Sequence, residues 1–553
     1  MLGGCTEPAA MRLKLADDVE RPTRNVVVFF ADGMDVQRLH ELLDAGLLPN
    51  IRRTFVEGGV EVRDAISSMP SITYPNCSAI VTGLYPGHHG ILGNFWFDRD
   101  RAAIHYYMTL DTARDVNGDL RVPTIYDMLS DRLTMSVLAQ THRGVTVSYD
   151  LKSVFDWGWM TGGYQWVDKR VGETFLDVVD TANRLKRWPT VLMTYYPGVD
   201  EIGHRQGPDS AEFASAVTDV DNTVGRVTRS ISALGLDKST YYVLLADHGM
   251  APRQPAQDFA FIEWLRHAKG LKVLTSPLDQ SDYADRLETL QKYDAVATVD
   301  AGRVAMIHLR GTNWTPRPGF EGVRAWAMSE PAIHDLPAVE MVASRGGPER
   351  AMVWSHAGSF MVERRTEGPR QPADAKGRQP VALVQEAGRK YYRVIEYEGD
   401  PLALKSAPTL REFVQAGWHE SREWLAASAT SRYPDLVPQV VEMFDSPHTG
   451  DVVVFAAEDW LLYPKEWAGH GSTLHRDMHV PMFFAGPGLP AHAEVPVARL
   501  VDLVPTLVGL VGEGERLQRF SVDGIDLSQQ LHAATPVEVR LPPPTPPRKQ
   551  PAQ

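Results

Sequence analysis

The chain has 553 residues, too many for one minimal domain, and its 43% hydrophobic and 23% charged residues are ordinary for a globular protein. A formal net charge of −14 argues against a nucleic-acid backbone as the main partner, so an anionic substrate must be drawn in by something local, such as bound cations. Cys5 and Cys77 are the only cysteines, which leaves nitrogen and oxygen ligands for any metal, and no run reaches the roughly 18 apolar residues that a spanning helix needs.

In chain order, Met1-Leu2-Gly3-Gly4-Cys5 has the form of the end of a bacterial lipoprotein signal, without the apolar stretch that precedes one. Two readings stay open: a lipid-anchored periplasmic or secreted protein, or a chance match in a cytoplasmic one with Cys5 on the surface. Residues 1–24 are read as a tail. Asn25 to Ala31 (Asn-Val-Val-Val-Phe-Phe-Ala) predicts a strand buried on both faces, punctuated by Asp32-Gly33, and Val36 to Val56 carries a helical period. Strand-like runs recur at Thr190 to Tyr196, Thr240 to Ala246, Asp451 to Ala456 and Val480 to Ala485. Strands alternating with helices imply an α/β fold with a mainly parallel sheet covered on both sides. Residues 26–255 form the first half of this core and 450–535 the second. Between them, 256–449 has Gly, Pro and Arg clusters (Arg365 to Pro380) and a hairpin-like run at Lys390 to Tyr397, and is expected to be an inserted α+β region that caps or flanks the core. A last helix is expected over Val497 to Val511, and 536–553 form a Pro-rich tail.

In a parallel sheet, ligands gather where the strands end. Asp32 follows the first run, Asp200 and His204 the second, and Asp247-His248 the third, while Gly469-His470-Gly471 lies in a glycine-flanked turn. Singly, each is an ordinary helix cap, turn residue or solvated loop. Together, three aspartates and three histidines suit two divalent ions, zinc first, manganese or iron less specifically. Thr73, in Met69-Pro-Ser-Ile-Thr73-Tyr-Pro-Asn, is either a turn residue or a nucleophile, and as a nucleophile it needs a base or a metal to activate its hydroxyl.

The stretches Thr73-Tyr-Pro-Asn, Val81-Thr-Gly-Leu-Tyr-Pro, His89-Gly-Ile, Pro197-Gly-Val-Asp200-Glu-Ile-Gly-His204-Arg-Gln-Gly-Pro, Asp247-His-Gly-Met and His470-Gly-Ser, in that order, resemble the type I phosphodiesterase/nucleotide pyrophosphatase family of the alkaline phosphatase superfamily. The resemblance spans about 26–255 and 450–530 and implies an alkaline phosphatase-like core. It also implies one zinc on Asp200, His204 and His470, a second on Asp32, Asp247 and His248 that touches the Thr73 oxygen, and a covalent phosphothreonine at Thr73. Asn94, 21 residues after Thr73, matches the family's donor to a phosphoryl oxygen. The substrate expected from the resemblance is a small phosphodiester or nucleotide pyrophosphate.

Three rivals stand beside it. A phosphomonoesterase on the same site needs extra positive charge for the dianion, and the nearest candidate, Lys152 in Tyr149-Asp150-Leu-Lys152, has an acid where a basic residue is needed. A sulfatase needs a Cys-x-Pro-x-Arg type signature, which Cys77-Ser-Ala-Ile-Val lacks, so Cys77 is read as core packing. A catalytically silent binding module would have lost ligands, and all six are present. Tyr74, Phe95, Trp96 and Tyr149 either pack in the core or shape a leaving-group pocket.

Overall fold

The computed structural model describes residues 23–254, 257–367, 388–464 and 466–537. Its centre is a ten-stranded, mainly parallel sheet. Asn25–Ala31 lies between Val191–Tyr196 and Thr240–Leu245, parallel to both, and Thr134–Val137 and Val147–Tyr149 continue the parallel side. Every residue of the three central strands is buried. This accounts for their continuous apolar runs: a strand covered on both faces has no solvent side to make polar. Each fully buried Val, Leu or Phe contributes about 1.5–3 kcal/mol of transfer free energy, which makes these strands the rigid base of the site.

On the other side, Met482–Ala485 runs antiparallel between Thr240–Leu245 and Gly59–Ile66, and Gly59–Ile66 pairs in parallel with Ala493–Arg499. The expected helix over Val497 to Val511 is therefore partly strand: the helix proper is Leu503–Leu510. Alternating β-branched Val495 and Val497 fit the sheet edge, and the turn at Leu500–Asp502 separates the two elements. The Val36 to Val56 period also breaks in two. Val36–Asp44 ends at Gly46 in a left-handed conformation, and Pro49 opens the next turn.

A second sheet of nine strands is almost wholly antiparallel. It runs Val273–Leu274, Ala295–Asp300, Val304–Leu309, Val452–Ala456, Val339–Gly347, Arg350–Ser355, Gly358–Glu367, Arg389–Gly399 and His419–Glu420. The Asp451 to Ala456 run, expected among the core strands, thus sits at the middle of this sheet. Burial on both faces makes a central antiparallel strand and a parallel one look alike in sequence. Among the described residues no helix is long and apolar enough to cross a membrane. Cys5, the Pro-rich tail after 537 and the 368–380 part of the Arg365 to Pro380 cluster lie outside the described residues.

Candidate metal centre and nucleophile

The three central strands end at one level, and the candidate residues follow them. Asp32 comes directly after Ala31. The strand ending at Tyr196 feeds the helix Gly198–Gln206, whose Asp200 and His204 are four residues apart and share a face. The strand ending at Leu245 feeds Asp247-His248. His470 comes from a short Ala468–Gly469 strand paired with Ala251–Pro252.

These residues form two groups. Asp200, His204 and His470 present ligand atoms within 4.8 Å of one another, and so do Asp32, Asp247 and His248. In the first, Nε2 of His204 and of His470 each lie 3.5 Å from Asp200 Oδ1. In the second, His248 Nε2 lies 3.1 Å from Asp32 Oδ1 and 3.4 Å from Asp247 Oδ2. The groups adjoin: His248 Nε2 is 4.0 Å from Asp200 Oδ1, and the His248 and His470 rings stack with centroids 3.3 Å apart. Thr73, the first residue of the buried helix Thr73–Thr82, places Oγ1 3.2 Å from His248 Nε2.

Each imidazole is oriented through its other nitrogen. His470 Nδ1 donates to the Ser71 carbonyl (2.8 Å), His248 Nδ1 to the Gly249 carbonyl (2.9 Å), and His204 Nδ1 meets the Ala468 carbonyl (3.0 Å) and Glu466 (3.1 Å). Such partners hold the proton on Nδ1 and leave the Nε2 lone pair facing the carboxylates, the arrangement of metal-ligating histidines. The carboxylates are prepared in the same way. Asp32 Oδ2 accepts from the Tyr195 hydroxyl and Asp247 Oδ1 from the Gly33 N–H at 3.2 Å. Asp32 Oδ1, Asp200 Oδ1 and Asp247 Oδ2 are buried and have no hydrogen-bond partner. Orphaned buried carboxylate oxygens are costly, and all three here point at Nε2 atoms, so the donor set fits a pair of divalent ions.

The electrostatics agree. Burial drives Asp200 up to about 7, with Asp32 adding and His204 opposing, and pushes Asp247 well above the ordinary carboxylate range, with Asp32 again adding. Burial opposes the charged forms of His204 and His248, yet the neighbouring carboxylates raise both to about 10. His470 is pushed far down by burial and by His248 and His204. Crowded negative charge is thus answered by retained protons, which cations would replace. Gly33 is required for this closeness: its φ is +61°, and a Cβ there would stand 2.7 Å from Asp200 Oδ1.

Asn94 is tied to the helix that Thr73 begins, its Oδ1 accepting from the Tyr74 N–H at 3.1 Å. Tyr74, Trp96 and Tyr149 are buried and Phe95 partly so; Cys77 is buried beside the site, its thiol pushed up by burial and by Asp247 and Asp32. Lys152 is on the surface, bonded to the Leu110 carbonyl and within 3.6 Å of Asp111 and 3.3 Å of Asp156. Tyr195, Glu466, Asp300 and the Ser71 carbonyl escape a reading of the sequence, because the first lies inside a strand run, the next two stand outside any motif, and the last is backbone. A third acid–histidine group, His88, Glu442 and Asp523, is already neutralised by Lys390 and Arg364 and is an ion-pair cluster.

Fold and site together define an α/β protein of the alkaline phosphatase-like class, with two adjoining acid–imidazole groups beside a buried threonine. A sequence model of the type I phosphodiesterase/nucleotide pyrophosphatase family matches residues 26–315, more than half of the chain. The chain belongs to that family. An uncharacterised pyrophosphatase/phosphodiesterase of Schizosaccharomyces pombe is 29% identical over 232 residues, 41% of this chain and 45% of that protein. Mouse ectonucleotide pyrophosphatase/phosphodiesterase family member 1 is 27% identical over 276 residues, 49% of this chain and 29% of that protein. The chain thus spans less than half the length of these relatives. Among solved structures, murine ectonucleotide pyrophosphatase/phosphodiesterase 5 superposes with a TM-score of 0.53 at 15% identity, covering 93% of this chain and all of the other, and an inactive threonine-to-alanine form of it has been solved in complex with AMP.

Proposed function

We propose that this protein hydrolyses small phosphodiesters or nucleotide pyrophosphates through a covalent phosphothreonine at Thr73, on a centre that takes two divalent ions, zinc in the first instance and manganese or another transition metal otherwise. The observation that carries this is the Thr73 hydroxyl 3.2 Å from His248 Nε2, beside two groups of orphaned carboxylate oxygens and oriented imidazoles. Asp200, His204 and His470 would hold one ion, and Asp32, Asp247 and His248, with the Thr73 oxygen, the other. Bound there, the ions would supply Lewis-acid charge for the attacking, leaving and equatorial oxygens.

Thr73 Oγ gives up its proton to water and forms a bond to phosphorus as the bond to the leaving alcohol or nucleotide phosphate breaks, and the leaving oxygen takes a proton back from water. Water then attacks the phosphothreonine, and Thr73 leaves with its proton restored. The position at the start of a buried helix fixes the hydroxyl, which supports this role because positioning supplies most of the effect in phosphoryl transfer. Asn94, its Oδ1 engaged by Tyr74, keeps its amide N–H groups for a non-bridging oxygen. The inactive threonine-to-alanine form of the murine neighbour, and its AMP ligand, support a threonine nucleophile and a nucleotide-sized substrate.

A phosphomonoesterase is the alternative, and the surface position of Lys152, paired with acids, weighs against it. Thr73→Ala should abolish turnover with metal content unchanged; a fully active variant refutes the nucleophile. Rates of the zinc-loaded protein on a nucleotide diester, a pyrophosphate and a monoester, measured side by side, decide the substrate class, and a preference for the monoester would favour the alternative.

A further inference from the structure

The second sheet reaches the site through the hairpin turn Asp300-Ala301-Gly302-Arg303 between the strands Ala295–Asp300 and Val304–Leu309. Ala301 and Gly302 are both left-handed, with φ +51° and +75°, as a two-residue hairpin turn with right-handed strand twist requires. An alanine in that conformation costs about 1–2 kcal/mol, so surrounding contacts must hold the turn in place.

Those contacts lead to the site. The Ala301 carbonyl accepts from the His470 N–H at 2.9 Å, and a Cβ on Gly469 would lie 2.5 Å from it. Buried Arg303 makes a forked pair with Asp477 at 2.8 and 3.1 Å, and the Asp477 carbonyl accepts from Gly249 at 3.0 Å, next to His248. Asp300, itself buried, turns Oδ2 to the Asn94 N–H at 2.5 Å and the Phe95 N–H at 3.5 Å. Gly93 leaves room for this, since a Cβ there would stand 2.7 Å from the same oxygen. Asn94 is therefore fixed at two points, by Asp300 through its backbone and by the Tyr74 N–H through its side chain, and Tyr74 follows Thr73.

We propose that Asp300 is a positioning residue of the reaction: its carboxylate, delivered by the second sheet, holds Asn94 in register with Thr73, so the sheet built outside the core completes the phosphoryl site. This rests on the assignment of Thr73 and Asn94 made above. It assigns the hairpin turn a catalytic consequence that runs through Asn94.

The test is a double-mutant cycle on the zinc-loaded full chain, reading kcat, KM, zinc content and thermal midpoint for Asn94→Ala, Asp300→Ala, their combination, Asp300→Asn, and Thr73→Ala. Loss of one transition-state donor costs about 10²–10³ in kcat, and Asn94→Ala should show it. Asp300→Ala should lower kcat by roughly 10–100-fold with KM and zinc content little changed, and Asp300→Asn, which keeps an acceptor, should recover most of that. In the Asn94→Ala background Asp300→Ala should cost less than about threefold more, because the two act as a unit. Should Asp300→Ala not fold, Gly93→Ala presses on the same carboxylate from the other side and should lower kcat likewise. Equal losses from Asp300→Ala with and without Asn94, an unchanged kcat, or a loss that follows zinc content would overturn the proposal. Turnover surviving in Thr73→Ala would instead overturn the nucleophile assignment, so the two failures are distinguishable.

Discussion

Removing divalent ions should destabilise this protein by several kcal/mol, and the size follows from three atoms. Asp32 Oδ1, Asp200 Oδ1 and Asp247 Oδ2 are buried without a hydrogen-bond partner, and an orphaned buried acceptor costs about 1–3 kcal/mol, hence on the order of 3–9 kcal/mol for the set. Ligand linkage gives a similar size by a separate route: an ion at a hundred times its Kd stabilises by about 2.7 kcal/mol, or about 5 kcal/mol for two sites. Proton uptake by Asp200 and Asp247, both raised by burial, relieves part of the cost, so the lower end, about 3 kcal/mol, is expected. A domain of 150–250 residues shifts by about 2–4 °C per kcal/mol, and a longer chain by less, which puts the fall in thermal midpoint at roughly 3–6 °C. The assay is a thermal scan before chelation, after it, and after adding zinc back, with metal content measured on each sample. A midpoint that stays put while the metal demonstrably leaves would refute the reasoning, because the three oxygens would then have partners of some other kind.

Two further predictions concern the cluster of His88, Lys390 and Arg364 with Glu442, Asp445 and Asp523, which ties the second sheet to the core. Glu442 is 1% exposed and takes bonds from Arg364 at 2.8 Å, Lys390 at 2.5 Å and the Tyr392 hydroxyl, so Glu442→Gln removes the acid that the two cations share, while Asp445 still pairs with Arg364 and Asp523 still lies 3.8 Å from Lys390; the change should cost about 1.5–3 kcal/mol in urea unfolding. A loss below about 1 kcal/mol would mean that water reaches the cluster. Burial opposes the charged form of His88, yet Asp523 and Asp445 hold it well above the ordinary imidazole range, while Lys390 opposes them. A histidine raised on folding contributes stability that is complete below its unfolded value, about 6.5, and fades as pH rises through the folded one. His88→Ala should therefore flatten the decline in unfolding free energy on the alkaline side of pH 6.5, and an identical pH dependence in the variant would remove His88 from the account.

The central strands were legible because burial on both faces leaves an unbroken apolar run, as in Asn25–Ala31, and because Asp32, Asp200 and Asp247 stand where such runs stop. Position relative to the second sheet was not legible. Val452–Ala456 reads as a core strand because only its neighbours differ, and Val497 to Arg499, the end of the strand Ala493–Arg499, reads as part of a helical period that begins in earnest at Leu503. Among the candidate residues, those that the structure brings together are carried by motifs legible in the sequence, whereas the ones that orient them are not. Tyr195 is one more aromatic in a strand, Glu466 follows no pattern, and the Ser71 carbonyl is backbone, which any residue would supply. Asp300 left a faint trace: Asp-Ala-Gly-Arg between two apolar runs is a hairpin signal, but nothing local says which part of the molecule its carboxylate will meet.

The two acid–imidazole groups differ in charge, and that difference predicts an order of loading. Asp200 with His204 and His470 carries one carboxylate, while Asp32 and Asp247 with His248 carry two, so a divalent ion in the second group is fully neutralised by its own ligands and one in the first keeps a net positive charge. The second group is also the more deeply enclosed: Asp32, Asp247 and His248 are all buried, whereas Asp200 and His204 are partly accessible. A cation held in lower dielectric by more opposing charge binds more tightly and exchanges more slowly. The first equivalent of zinc added to ion-free protein should therefore occupy the Asp32 group, and mild chelation should empty the Asp200 group first. His470→Ala should then leave one zinc that resists mild chelation, and His248→Ala one that does not. The reverse pattern, a tight ion surviving His248→Ala and a labile one surviving His470→Ala, would show that ligand number or access, and not carboxylate count, governs affinity at this centre.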